Sequence, residues 1–562
     1  MDHSESTGSI YRSPFFLLAI LLTIFLRLPY VGIPFLNLDE AQLMGYGAYI
    51  AETGAVYGDG FSDMRGPGAY YFYALLSVFF GPANMLGVHL FAIAFWVLTL
   101  VLLVAVSRRV VGDRSAALGG LFYSVFSFAY LAHDMIPLNV SVLTVPLLLA
   151  GAWACLKGLE AWEAGESSFG WVFWAGLSTG LIFGIKQVVG IALAVYALSF
   201  FWIALRRGVG LLSLVAPYAV LGVGFLVGFA VLFGPSVWAG EGGDALYWGL
   251  LYGFDHYGGS GSSRVFFFSS RMILMLSGQP LIWGCLVGWV IAVGWPRTRR
   301  SEAGLDAGRM LFFWMVPGQL LGAFVAGHAG GHYFLPVIAF MSPLAAEFVQ
   351  QLTSNLGSSE GTASGQGIRS RSLRAGLGVL IAAGFLTPLV NYALFPEGVR
   401  VPIYSVQELF REKFSAENPY TQAADFIRSQ TDPDDRILQL GGYDLYALVE
   451  RVPAINPATL SLYSNYRKDP RLRAYYEARL DDLRREKPAV IVRPARGLSG
   501  INPHGDLHGE IGTLLDQAYE PPIRFEWSER SKFRNGKAWM DSDPGPEWVD
   551  VYVLSEGTDL TE

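Results

Sequence analysis

The fold is decided by Phe15-Phe16-Leu17-Leu18-Ala19-Ile20-Leu21-Leu22-Thr23-Ile24-Phe25-Leu26-Arg27-Leu28, which is followed after Pro29 and Pro34 by Leu38-Asp39-Glu40-Ala41. The first part is almost wholly apolar and reads as a membrane anchor. The prolines end it and bring two carboxylates to the level of a membrane surface. Ionisable side chains at such depth are costly and are kept where they have partners or work. A cation follows in Arg65-Gly66-Pro67-Gly68, which runs directly into the aromatic helix start Ala69-Tyr70-Tyr71-Phe72-Tyr73. An acid and then a cation on one loop suggest a site that activates one group and holds an anion.

The rest of the chain extends this reading. Its 562 residues are 52% hydrophobic and 15% charged, against about 25% charged in soluble proteins, so the chain is a polytopic α-helical membrane protein. The net charge of −7 gives no global basic field for nucleic acid. Cys155 and Cys285 lie in separate apolar runs and read as small buried hydrophobes. No small-residue cleavage site follows the first run, so it reads as a retained anchor.

Runs long enough to span a bilayer cover 13–33, 85–107, 115–132, 138–156, 171–185, 188–205, 211–233, 272–294, 308–326, 333–350 and 375–394, about eleven helices in all. Arg108-Arg109, Arg114, Lys157, Arg206-Arg207, Arg297, Arg299-Arg300, Arg369, Arg371 and Arg374 recur after every second span. The positive-inside rule then places the N-terminus and these loops in the cytoplasm. The outward segments are 34–84, 133–137, the turn at Lys186, 234–271, 327–332 and everything after about 395.

Residues 351–374 read as a Ser/Gly-rich, basic cytoplasmic connector. From about 396 charge rises and the apolar runs shorten to strand length. Asp435–Leu440, Ala489–Val492 and Val549–Leu554 read as strands, and Thr421–Gln430 and Leu472–Lys487 as helices. The chain therefore divides into a transmembrane domain, 1–395, with its long outer loop 34–84, and an extracytoplasmic soluble α/β domain, 396–562.

The order of a span ending Arg27-Leu28-Pro29, then Leu38-Asp39-Glu40-Ala41, then a basic residue with a proline running into aromatics resembles the polyprenyl-phosphate-dependent glycosyltransferases of the GT-C type. Within that type it is similar to glycosyltransferase family 39, which includes the protein O-mannosyltransferases and the aminoarabinose transferases. The glycine-rich span Gly176–Gly190 with Lys186, the junction Gly331-His332-Tyr333-Phe334-Leu335-Pro336 and the stretch Ala423–Leu438 resemble further elements of the group.

The resemblance implies that Asp39 is the catalytic acid of the first outer loop, taking a proton from the acceptor, and that Glu40 is the second acid beside it. It implies that Arg65 and Lys186 face the phosphate of the leaving lipid, with Asp134, His332 and Tyr333 as further substrate-binding candidates. Arg65-Gly66-Pro67 departs from the group's usual Lys-Pro-Pro, although an arginine fork suits a phosphate. Asn139 competes with Asp134 for the acid that often opens the following span.

The histidines His133, His256, His328 and His332, with Asp39 or Glu40, offer ligands for a divalent cation, but none has metal-ligand spacing. The aromatic loop 234–271 reads as an interfacial belt or as a lid over the site.

The expected activity is transfer of a hexose or pentose from a polyprenyl-phosphate donor to a lipid, glycan or protein acceptor on the outer face of the cytoplasmic membrane. A competing reading is a lipid or sugar flippase. Transporters of that kind often show two matching halves, and no such halves are visible.

Overall fold

The computed structural model describes residues 10–32, 38–58, 65–128, 137–252, parts of 265–291, 303–326, 331–358, 384, 419–440, 444–455, 481–494, 506–526 and 548–555. The predicted span 375–394 apart from Gly384, most of the 351–374 connector, and Asp59, Asp63, Asp134, His133, His256, Arg264, Arg271 and His328 lie outside these residues.

Helices stand within every other predicted span. Among the described residues, six are long and apolar enough to cross a membrane: Met85–Val111, Val140–Glu163, Gln187–Arg207, Leu211–Trp238, Ala307–Val325 and His332–Ser354. Shorter apolar helices cover Pro14–Tyr30, Pro67–Phe80, Phe169–Phe183 and Pro280–Trp289. Asp113–Phe126 is also helical and mostly buried. This is the polytopic helical architecture that the apolar runs predict. Cys155 and Cys285 are both free and buried.

The chain forms two compact units, one built from 1–29, 91–232 and 257–395, the other from 30–90, 233–256 and 396–562.

In the first unit, the glycine-rich span has a packing reason. A Cβ at Gly176 or Gly180 would stand 2.1 Å from the carbonyl oxygen of Leu221 or Phe225. In return, one at Gly224 or Gly228 would stand 2.2 or 2.3 Å from the carbonyl of Phe173 or Leu177. Small residues at four-residue spacing on both helices let the backbones touch, which is how apolar helices associate where lipid is as apolar as leucine. Glu347, deeply buried, accepts from Arg309 Nε at 3.0 Å and Trp289 Nε1 at 2.8 Å, so its charge is paired.

In the second unit, Leu38–Thr53 packs along Pro67–Phe80. The approach is close because Gly47 lacks a side chain: a Cβ there would meet the Tyr73 carbonyl carbon at 2.5 Å. The opposite side of the same helix meets the C-terminal residues, with Gly45 against the Tyr446 ring and Glu52 accepting from Arg436 at 2.8 Å. Burial pushes the Tyr446 phenol well above its usual range.

The C-terminal residues form a four-stranded sheet of order β1-β2-β4-β3: β1 Ile437–Gln439, β2 Val490–Pro494, β3 Ile523–Glu526 and β4 Trp548–Val553. β1 and β2 run parallel, with Ile437 opposite Val490, and the other pairs are antiparallel. Helix Pro419–Gln430 buries Ala423, Ala424 and Ile427, a stripe at helical spacing, and Phe426 meets Phe525 of β3 at 5.7 Å. The predicted strands at 435–440, 489–492 and 549–554 match β1, β2 and β4.

Candidate functional site

Asp39 and Glu40 occupy the first turn of Leu38–Thr53, the position where a helix end favours negative charge. Consecutive helical residues point about 100° apart, so the two carboxylates cannot share one face. Asp39 stays part-exposed, at 37% of its side chain, and its Oδ1 accepts from Arg65 Nη2 at 2.6 Å. Oδ2 accepts from no described residue. Glu40 is fully buried, and its Oε2 lies 3.1 Å from His89 Nε2.

Arg65 is delivered by the element that the sequence singles out. Pro67 takes the first position of Pro67–Phe80, where its missing N–H costs nothing. Gly66 before it is extended, as a residue preceding proline must be, so the turn is defined without a second proline. The guanidinium then forks: Nη2 binds Asp39, and Nη1 donates to Gln42 Oε1 at 2.8 Å.

The backbone of Arg65 is fixed as well, since its carbonyl accepts from Tyr57 OH at 2.7 Å. Tyr57 stacks on Tyr70 with ring centroids 5.7 Å apart, and its N–H donates to Tyr71 OH, which lies 3.3 Å from Ser236 Oγ. Tyr46 closes the cluster edge-on to Tyr70 at 5.2 Å. This aromatic wall fixes the Arg65 backbone, and its guanidinium meets a carboxylate whose Oδ2 accepts from no described residue. Such a pair can accept a proton and hold an anion.

Lys186, in the other unit, follows the glycine-rich helix Phe169–Phe183 in extended backbone before the turn Gln187–Ile191 and is almost wholly buried. Its Nζ donates to Ser141 Oγ and stands 3.2 Å from the centroid of Tyr333, a close cation–π contact. His332 lies against that ring, centroids 4.7 Å apart, in the 3₁₀ turn Gly331–Phe334. Ser141 is placed by Asn139, whose side chain accepts from the N–H groups of Ser141 and Val142 at 3.0 and 3.2 Å and so caps Val140–Glu163. The structure thus brings Lys186, Tyr333 and His332 together, and it gives Asn139 a capping role.

Sequence reasoning missed Gln42, Tyr57, His89 and Ser141. Gln42 lies three residues after Asp39, on the same helical face, which was a readable signal. In the aromatic loop, Trp248 and Tyr252 are buried within their unit, whereas Trp238 is almost fully exposed. Among the described residues no group of three or more His, Cys, Asp or Glu is placed to hold a metal ion.

The family model described as dolichyl-phosphate-mannose-protein mannosyltransferase matches residues 64–234, a segment that includes Arg65 and Lys186. No curated protein matches the chain by sequence. The fold is similar to that of ArnT from Cupriavidus metallidurans bound to undecaprenyl phosphate, with TM-score 0.54 and 13% identity over 95% of this chain and 97% of that one. It is also similar to the oligosaccharyltransferase of Archaeoglobus fulgidus in the apo form, with TM-score 0.50 and 12% identity over 91% of this chain and 73% of that one. At such identities the structural likeness speaks for the fold alone, and the family match covers under a third of the chain. Taken together, the matched segment and the fold make the chain similar to the membrane glycosyltransferases of the GT-C type, the lipid-phosphate-dependent class.

Proposed function

We propose that this enzyme transfers a sugar from a polyprenyl-phosphate donor to an acceptor hydroxyl or amine, with Asp39 as general base. The observation that carries the reading is the Asp39–Arg65 pair: a carboxylate fixed through Oδ1 at 2.6 Å, whose Oδ2 accepts from no described residue.

In the reaction, the acceptor O–H or N–H gives its proton to Asp39 as its heavy atom bonds to the anomeric carbon. The bond from that carbon to the phosphate oxygen breaks, and its electron pair leaves with polyprenyl phosphate. A positioned base of this kind is worth about 10²–10⁴ in rate. Arg65 meets the negative charge that develops on the phosphate, and a preorganised cation there lowers the barrier by a few kcal/mol. Within its own unit, Lys186, held by Ser141 and Tyr333 with His332 against that ring, is a separate candidate for binding an anionic lipid headgroup.

The acceptor is a lipid, glycan or protein group on the outer face of the cytoplasmic membrane. The recurrence of Lys and Arg after every second span supports a cytoplasmic N-terminus and an extracytoplasmic C-terminal domain over 396–562.

The test is release of undecaprenyl phosphate from a panel of undecaprenyl-phosphate-linked sugars by the purified full-length protein, with cell-envelope extract as acceptor. Arg65→Gln should lower release by at least about tenfold. Lipid movement across vesicles with no release of undecaprenyl phosphate would instead favour a flippase.

A further inference from the structure

We propose that His89 is a positioning residue for the transfer reaction: through Glu40 it fixes the rotation of the helix Leu38–Thr53 and so aims Asp39 at Arg65. The inference rests on Asp39 being the base.

His89 sits near the start of Met85–Val111, a helix apolar enough to span a membrane, where a titratable side chain is expensive unless it has a task. It is buried, and both ring nitrogens face oxygen acceptors. Nε2 lies 3.1 Å from Glu40 Oε2, and Nδ1 lies 3.4 Å from the carbonyl of Val31. The imidazole therefore ties the chain entering the first loop to the first turn of the helix that follows it.

First turns are the least constrained part of a helix, because their backbone N–H groups lack intrahelical partners. Asp39 is the residue next to Glu40 in that turn. With Glu40 held on the buried side, the 100° step between neighbours puts Asp39 on the side from which Arg65 approaches at 2.6 Å. Catalytic geometry tolerates errors of only about 0.5 Å, so a slack first turn would separate the carboxylate from its guanidinium. The two acids thus have different tasks: Asp39 meets the substrate, and Glu40 is the handle by which His89 holds the helix.

The experiment compares full-length His89→Leu, His89→Gln, Glu40→Gln and Asp39→Asn in nanodiscs. It follows undecaprenyl phosphate released from the undecaprenyl-phosphate-sugar panel. Rates are counted per molecule able to bind undecaprenyl phosphate, so loss of folded protein does not register.

Leucine removes both ring nitrogens at similar volume. His89→Leu should lower kcat by at least about tenfold while half-saturation stays within about threefold, the size of effect seen when a residue orienting a reactive group is lost. Glutamine offers an N–H where Nε2 stood, and should restore kcat to within about threefold of the unmodified chain. Glu40→Gln keeps an oxygen for His89 and should lose less than about tenfold, whereas Asp39→Asn loses at least about a hundredfold.

Equal rates for the leucine and glutamine variants would overturn the proposal. So would a Glu40→Gln loss as large as that of Asp39→Asn, even if His89→Leu does not fold. Retention of turnover by Asp39→Asn would remove the assignment of the base, and this inference with it.

Discussion

Arg65 and Asp39 stand 26 positions apart in sequence and meet at 2.6 Å, Nη2 to Oδ1, because each begins or immediately precedes a helix and Gly47 lets those two helices touch. The pair is built by close packing outside the site as much as by the charges themselves.

The first prediction concerns the shape of the cation. Arg65 holds Asp39 with one arm and Gln42 with the other, a fork that an ammonium cannot reproduce. Arg65→Lys keeps the charge, yet should lower undecaprenyl phosphate release by about tenfold. Gln42→Ala should lower it by less, since it frees one arm and leaves the ion pair. Steady-state rates of the two variants check the order.

The second concerns Gly47. A methyl there would lie 2.5 Å from the Tyr73 carbonyl carbon and 2.7 Å from the Ala74 nitrogen, backbone atoms that cannot move aside. Gly47→Ala should destabilise the chain by about 1–3 kcal/mol through overpacking and should reduce turnover as the helices separate. Gly170→Ala, with nothing within 4 Å of the added methyl, should be neutral or slightly stabilising. Thermal melting of the two variants in the same detergent makes the comparison.

The third concerns Lys186. Its ammonium is buried between Ser141 and the Tyr333 ring. Lys186→Gln should weaken binding of undecaprenyl phosphate by at least about tenfold, the scale of a lost charge-assisted contact. Tyr333→Leu should weaken it by less. Titration of the purified protein with undecaprenyl phosphate reads both.

The fourth concerns the C-terminal sheet. Asp550 on β4 is fully buried and accepts from Arg524 on β3 at 2.6 Å and Arg493 on β2 at 3.1 Å. Asp550→Ala leaves two guanidiniums side by side. Because both are partly exposed and screened, the loss should be about 1–3 kcal/mol rather than the full cost of an unpaired buried charge. Faster proteolysis within 419–555 would register it.

The helical architecture was legible because long apolar runs have few other readings, and the basic loops between them are regular. The acid at 39 and the cation at 65 were legible because charges are rare so close to a span. The sheet was legible only where its strands are apolar. β3, Ile523–Glu526, is an edge strand whose side chains are mostly exposed, so it carries no apolar run.

His89 was hidden for a different reason. It lies inside a span read for hydrophobicity alone, and its partner Glu40 was assigned to the site with Asp39 although helical geometry separates them. The glycines at 176 and 180 were visible as a pattern, but their use as a contact with 224 and 228 depends on a pairing of helices that no local sequence states.

The most direct measurement is the turnover of Asp39→Asn in the full-length protein, read as undecaprenyl phosphate released from an undecaprenyl-phosphate-linked sugar. The account predicts a loss of at least about a hundredfold, with binding of undecaprenyl phosphate and the melting temperature near those of the unmodified chain. Turnover within a few-fold of the unmodified chain would contradict it.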